Sequence, residues 1–180
     1  SAASDVYKRQ VLANKNVSYI LYHGNNGSLY AVTQGVPAEV YWKDNSMSDW
    51  QLYTSGLPQN MEVWGGCGIF FRDNKFRLST TRGIWETTLA TPVLPVAQPM
   101  ADKQSINCSA DTVYFTDYSI LNYSGAEWQW SFPGAAYVSS ATVRNPKVVY
   151  SNPGYYRVTL TVTDALGNSN TKTIDSMIVF

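Results

Sequence analysis

The sequence predicts an all-β protein built of two successive modules, and three observations carry that prediction. Aromatic residues make up 14% of the 180-residue chain, with 13 Tyr and 6 Trp, a bias that suits half-buried pleated surfaces. Runs rich in the helix formers Ala and Leu are scarce. Short stretches in which apolar and polar residues alternate recur along the chain, separated by Gly, Asn and Pro, and period-2 alternation places all the apolar side chains on one face of a strand.

Composition bounds the function classes. An apolar content of 44% with 14% charged residues describes protein folded throughout. Formal net charge is zero and the 13 basic residues are scattered singly, so no electrostatic footprint for nucleic acid or an anionic membrane is present. No apolar run approaches the ~20 residues of a bilayer-spanning helix, and no secretory signal is visible. Neither a nucleic-acid partner nor membrane insertion is expected. Ser1 to Gln10 is polar and aperiodic, resembling the leader that translated sequencing adaptors leave on metagenomic reading frames. Residues 1–16 are therefore set aside as a non-native or disordered leader, and the rest is expected to be part of a larger chain.

From Val17 the strand signals follow in order. Val17 to Tyr22 and Ser28 to Thr33 flank Asn25-Asn26-Gly27, a hairpin turn by composition. Further runs lie at Glu39 to Lys43, Trp50 to Thr54, Ile69 to Arg72, Lys75 to Thr80 and Gly83 to Thr88. Gly65-Gly66-Cys67-Gly68 lacks the lysine and the following helix of a phosphate loop, so it reads as a bulge or tight bend. Thr91 to Pro99 carries three prolines and reads as an extended connector, with the boundary between modules 17–94 and 95–180.

In the second module Val113 and Phe115 point one way, Tyr114 and Thr116 the other. Trp128, Trp130 and Phe132 share a face opposite Glu127, Gln129 and Ser131. Pro146, Val148 and Tyr150 make a short alternation, Asn152-Pro153-Gly154 supplies turn chemistry, and Tyr156, Val158, Leu160 and Val162 alternate with Arg157, Thr159, Thr161 and Thr163. A hairpin is the expected arrangement of these last two runs, with register pinned because a one-residue slip would bury threonines. The expected core is Phe115, Trp128, Trp130, Phe132, Val148, Tyr150, Tyr156, Val158, Leu160 and Val162, with the tryptophans facing the Tyr156–Val162 strand across the module.

These residues resemble the PKD family of immunoglobulin-like β-sandwich domains. The resemblance rests on Pro146-x-Val148-x-Tyr150, on Pro153-Gly154-x-Tyr156 leading into Val158 to Val162, on Gly167, on Phe115 to Ser119, and on Trp130 to Gly134. It covers roughly residues 96–180 and implies a sandwich from a secreted or cell-surface bacterial protein. The acidic Gly-Asp-Gly turn common in the family is replaced by Pro133-Gly134-Ala135, which weakens any inference of a calcium site there.

Residues 17–94 carry a weaker resemblance, to the last blades of a sialidase-like or xyloglucanase-like β-propeller. It rests on Tyr22 to Tyr30, Trp42-Lys43-Asp44, Gly56-Leu57-Pro58 and Arg77 to Glu86. Asp44 to Trp50 resembles a degenerate Asp-box without its glycine and threonine. The implied architecture is propeller-type β-hairpins preceding the sandwich.

Catalytic chemistry has little material. His23 is the only histidine, and its place before the Asn25-Asn26-Gly27 turn favours a solvated or turn-bonding role over acid-base catalysis. Zinc would need more His or Cys at workable spacing, and the 13 carboxylates form no EF-hand-like cluster. Asp117 and Asp164 read as turn residues accepting backbone N–H bonds. Cys67 and Cys108 fall in different modules and are expected to be two buried free thiols. No catalytic residue, metal or cofactor is assigned.

Binding is better supplied. Alternation turns Tyr114 and Tyr155 outward, and Tyr118, Tyr123 and Tyr137 fall in expected loops. These five are the candidate ligand-binding residues. Exposed rings stack on sugar faces or dock on protein surfaces without catalytic machinery, and the alternative for any one of them is simple cover for a sheet edge. The expected function is a non-catalytic, monomeric extracellular adhesion or spacer module that contacts polysaccharide or extracellular protein. The alternative is a piece of a secreted hydrolase, a propeller glycosidase or peptidase, whose active site lies upstream.

Overall fold

The computed structural model describes residues 12, 14–54, 56–70, 72–109 and 111–180. Among them fourteen strands and no helix form, and the chain divides into two units, Ser1–Val93 and Leu94–Phe180.

In the first unit β1 (Val17–His23), β2 (Ser28–Thr33), β3 (Val40–Lys43) and β4 (Gln51–Leu52) pair in chain order as an antiparallel sheet. Strand β2 is central and almost wholly buried. One of its faces turns Tyr30 onto Phe76, their rings stacked with centroids 5.2 Å apart. The other packs Ala31 with Tyr41 and Trp50, covered by Leu12, Val17 and Leu29. Strands β5 (Val63–Phe70), β6 (Lys75–Thr80) and β7 (Gly83–Thr88) form a second meander. Strand β5 begins earlier than alternation suggests, because Gly65 and Gly66 adopt positive φ within a register shift between Val63 and Cys67. That is the bulge the glycines called for.

The propeller expectation finds no support. Among the described residues the strands make separate sheets of four and three, and no ring closes. Short alternating runs and Asn-Gly turns specify antiparallel meanders of any kind, and closure leaves no mark on the alternation that identified them. Of the leader, residues 1–11 and 13 lie outside the described residues. Within the described part, Lys15 pairs with Glu39 at 2.6 Å, and the Asn16 carbonyl accepts the Gln34 N–H at 2.7 Å.

His23 corrects a second expectation, since it is fully buried and not solvated. Its carbonyl serves the turn, accepting the N–H groups of Asn26 and Gly27 at 3.3 and 2.9 Å. Burial holds its imidazole pKa below the ordinary value. The unfolded chain therefore binds a proton at a pH where the folded chain does not, and folding of this unit should weaken as pH falls below about 6.5, the unperturbed histidine pKa. Thermal unfolding at pH 7.5 and 5.5 checks this, and His23→Gln should flatten the part of the pH dependence that His23 causes.

The second unit is a two-sheet sandwich. One sheet runs β10 (Glu127–Ser131), β13 (Tyr155–Thr163), β14 (Ser169–Val179), and the other runs β11 (Tyr137–Val138), β12 (Lys147–Val149), β9 (Thr112–Asp117), β8 (Pro99–Ala101). Between them lies one core containing Val113, Phe115, Trp130, Val148, Leu160 and Ile178. All ten expected core residues belong to it or pack against it, with Trp128 and Tyr156 only partly buried.

The pairing of two strands differs from expectation. Strand β12 bonds to β9 and β11, and β13 to β10 and β14, so Asn152 to Gly154 crosses between sheets instead of closing a hairpin. The Tyr150 and Tyr156 rings stack across that crossing with centroids 4.0 Å apart. For the same reason Trp130 lies beside Leu160 in one sheet, not across from it. Alternation fixes which face of a strand is buried, but two strands with buried faces satisfy it equally well side by side or face to face.

The proline-rich connector is also more ordered than a linker. Val96 exchanges backbone hydrogen bonds with Ile120 at 2.9 and 3.0 Å, Ala97 donates to Asn170 Oδ1 at 2.8 Å, and Pro99 opens β8. Prolines fit here because an edge segment has no need of every N–H.

Candidate functional site

Strand β14 holds the feature that distinguishes this surface. Tyr156 pairs with Ile178, whereas Val158 pairs with Ile174, so two extra residues sit on β14 at this point. Ser176 takes φ +52° to accommodate them. The bulge breaks alternation twice: Asp175 and Ser176 both turn to solvent, and Met177 and Ile178 both turn to the core. A bulge re-aims side chains in this way, and non-glycine residues with positive φ are uncommon enough to need such a cause.

The outward pair faces the exposed side of β13. Asp175 Oδ1 accepts a hydrogen bond from Arg157 Nε, and Tyr155 stands beside them, 77% exposed. Pro133 forms the remaining wall. It occupies a tight turn in which Ala135 N–H bonds the Phe132 carbonyl at 3.1 Å, with Gly134 at φ +82°. Proline followed by glycine at positive φ is the sequence of a type II turn. A side chain at Gly134 would also collide with Tyr156, since a Cβ there would lie 2.8 Å from the ring. The result is an open cleft of about 430 Å³ lined by Pro133, Tyr155, Arg157, Asp175 and Ser176.

The other candidate tyrosines do not converge on it. Tyr114 and Tyr137 are exposed on the outer face of the opposite sheet, where the Lys147 ammonium sits 5.4 Å from the Tyr114 ring centroid. Tyr137 lies on β11 and not in a loop. Tyr118 is exposed just beyond β9. Tyr123 is half-buried: the Arg144 guanidinium lies 4.0 Å from its ring centroid and donates to its hydroxyl at 3.1 Å. Pro133, Arg157, Asp175 and Ser176 escaped sequence reasoning, and the available signal was the adjacent Met177-Ile178 pair, which no regular strand can bury on one face.

Several carboxylates are committed to structure. Asp164 Oδ1 accepts the Leu166 and Asn168 N–H groups and Oδ2 accepts Asn168 Nδ2, each at 2.9 Å. Burial pushes its pKa up, but these donors outweigh it and hold the carboxyl below the usual range. Buried Asp117 accepts Ser119 N–H at 3.0 Å and Trp128 Nε1–H at 2.9 Å. Among the described residues no group of three or more His, Cys, Asp or Glu gathers where a metal could be held. Cys67 is a half-buried free thiol whose pKa burial pushes up to about 11. Cys108 is exposed, against the expectation of burial. It sits in a turn, where period-2 burial does not operate.

Comparison with known proteins bears on this second unit. A family model described as PKD domain matches residues 92–179. Residues 92–179 are a PKD domain. The PKD1 domain of Vibrio anguillarum Epp is 30% identical, over 46% of this chain and 89% of that one, with a TM-score of 0.35. An extracellular domain assigned to a hybrid two component system of B. thetaiotaomicron is 13% identical, over 90% of this chain but 26% of that one, with a TM-score of 0.34. No curated protein matches the chain. PKD domains are generally non-catalytic modules, and this one is an immunoglobulin-like sandwich built from strands alone.

Proposed function

We propose that this chain is a non-catalytic extracellular or cell-surface module whose PKD domain contacts polysaccharide or extracellular protein through the Tyr155 cleft while spacing neighbouring domains. One observation carries the reading: the β14 bulge sets a carboxylate and a hydroxyl outward beside a guanidinium and an exposed aromatic ring. A ring offers an apolar platform, and the paired Arg157 and Asp175 offer donors and acceptors side by side, which is the complement of a hydroxyl-bearing ring. Except for Pro133, which a tight turn holds, the cleft stands on paired strands, so little ordering opposes binding.

The test is retention of the full chain on insoluble cellulose, chitin, xylan and collagen. Tyr155→Ala should release it from the retaining matrix, with about a tenfold or greater loss of affinity, and Tyr114→Ala on the opposite face should not. Both residues are exposed, so melting temperatures should stay near that of the parent chain. Retention on none of the four matrices would sink the contact role and leave a spacer.

A further inference from the structure

The Tyr155 cleft is one end of a longer surface. From it, the outer faces of β10, β13 and β14 continue as cross-strand rows set by the pairing: first Ser131–Thr159–Thr173, then Gln129–Thr161–Thr171. A last row, Glu127–Thr163–Ser169, leads to a second cleft of about 450 Å³, lined also by Trp128 and Thr142. Strand β13 has nine residues, so the strip is about 27 Å long at ~3.4 Å per residue.

Its chemistry is uniform. Thr159 and Thr173 hydroxyls meet at 2.9 Å, and Thr161 and Thr171 at 2.7 Å. Each such pair uses one donor hydrogen internally and keeps another, with spare lone pairs, for a third partner. Arg157 and Asp175 cancel each other, which leaves Glu127 as the only other charge on the strip. Lys172 belongs to the opposite face, since it pairs with the inward Leu160. A hydroxyl-covered surface with almost no net charge, ending at the aromatic-walled Tyr155 cleft, complements a neutral polyhydroxylated chain. It offers nothing to a polyanion.

We propose that the outer face of β10, β13 and β14 is an extended binding site for a linear neutral polysaccharide, which lies along β13 from the Tyr155 cleft to the cleft beside Glu127 and Thr163. The proposal rests on the contact reading above and adds the ligand class, its direction and its length. Twenty-odd ångströms accommodate several consecutive sugar rings, so binding should strengthen with chain length well beyond a disaccharide.

Calorimetric titration of the full chain with matched biose and hexaose pairs from the cellulose, chitin, xylan and mannan series tests this. Hexagalacturonate serves as the charged comparison. The expected result is a neutral hexaose that binds at least about tenfold more tightly than its biose. Thr161→Val and Gln129→Ala, at mid-strip, should each weaken the hexaose several-fold and leave the biose unchanged. Valine keeps strand propensity and shape, and Gln129 lies exposed on an edge strand, so both variants should fold, as near-UV circular dichroism will verify. Equal affinity of biose and hexaose, with sensitivity only to Tyr155→Ala, would overturn the strip and leave the cleft. Tighter binding of hexagalacturonate would overturn the neutral ligand class, and no binding of any hexaose would overturn the strip, whereas retention on collagen that Tyr155→Ala abolishes would keep the contact reading.

Discussion

Trp130→Ala should unfold the PKD domain. Trp130 is 2% exposed, its ring stacks on Phe132 at 5.6 Å and meets Phe115 of the facing sheet at 5.8 Å, and its indole N–H donates to the Val143 carbonyl at 3.0 Å. That bond ties the loop before β12 to the core. Truncating a buried Trp costs about 3–5 kcal/mol, against a total stability of about 5–15 kcal/mol for a typical domain. Loss of the near-UV dichroism of this unit, or a fall in its melting temperature of ten degrees or more, is the expected measurement. A variant that keeps both would show that the two sheets hold together without this ring.

Asp117→Ala should rank next. The carboxylate is fully buried, and one side chain holds the Ser119 N–H, the Trp128 indole N–H and, at 4.0 Å, the partly exposed Arg144 guanidinium. Removing it strands the buried Ser119 N–H and the partly buried Trp128 indole N–H, at a cost of up to about 1–3 kcal/mol for each unsatisfied group. The Arg144 contribution is smaller because solvent reaches that side chain. Chemical denaturation of Asp117→Ala, Trp128→Phe and the double variant apportions the loss. The double variant should be more stable than the two single losses added together predict, since removing both partners leaves no orphan between them. Additive losses would mean that the indole–carboxylate bond contributes little.

Much of the PKD domain was legible from alternation. The inward sets of β9, β10 and β13 were read correctly because water and core impose opposite preferences on successive residues, and that contrast is written directly in the sequence. Asp164 was legible too, because a carboxylate at the start of a Gly-Asn turn bonds the N–H groups that follow it. Pairing was not legible, and the Asn152-Pro153-Gly154 segment shows why: a turn composition suits a tight hairpin and a crossover between sheets alike. Nor did composition show that His23, next to a turn, would be enclosed by its neighbours.

The candidate site divides along the same line. The sequence by itself determined that Tyr155 faces outward, that Tyr156, Val158, Leu160 and Val162 face the core, and that Pro133-Gly134 makes a turn, since each follows from local period or backbone preference. Only the tertiary structure decided that Arg157, Asp175, Ser176 and Pro133 surround Tyr155, and that Tyr114 stands on the opposite face. The physical reason is the bulge in β14. Two extra residues cost the strand its alternation, and they are stable there because Met177 and Ile178 both find the core, a compensation that exists only once the two sheets have packed.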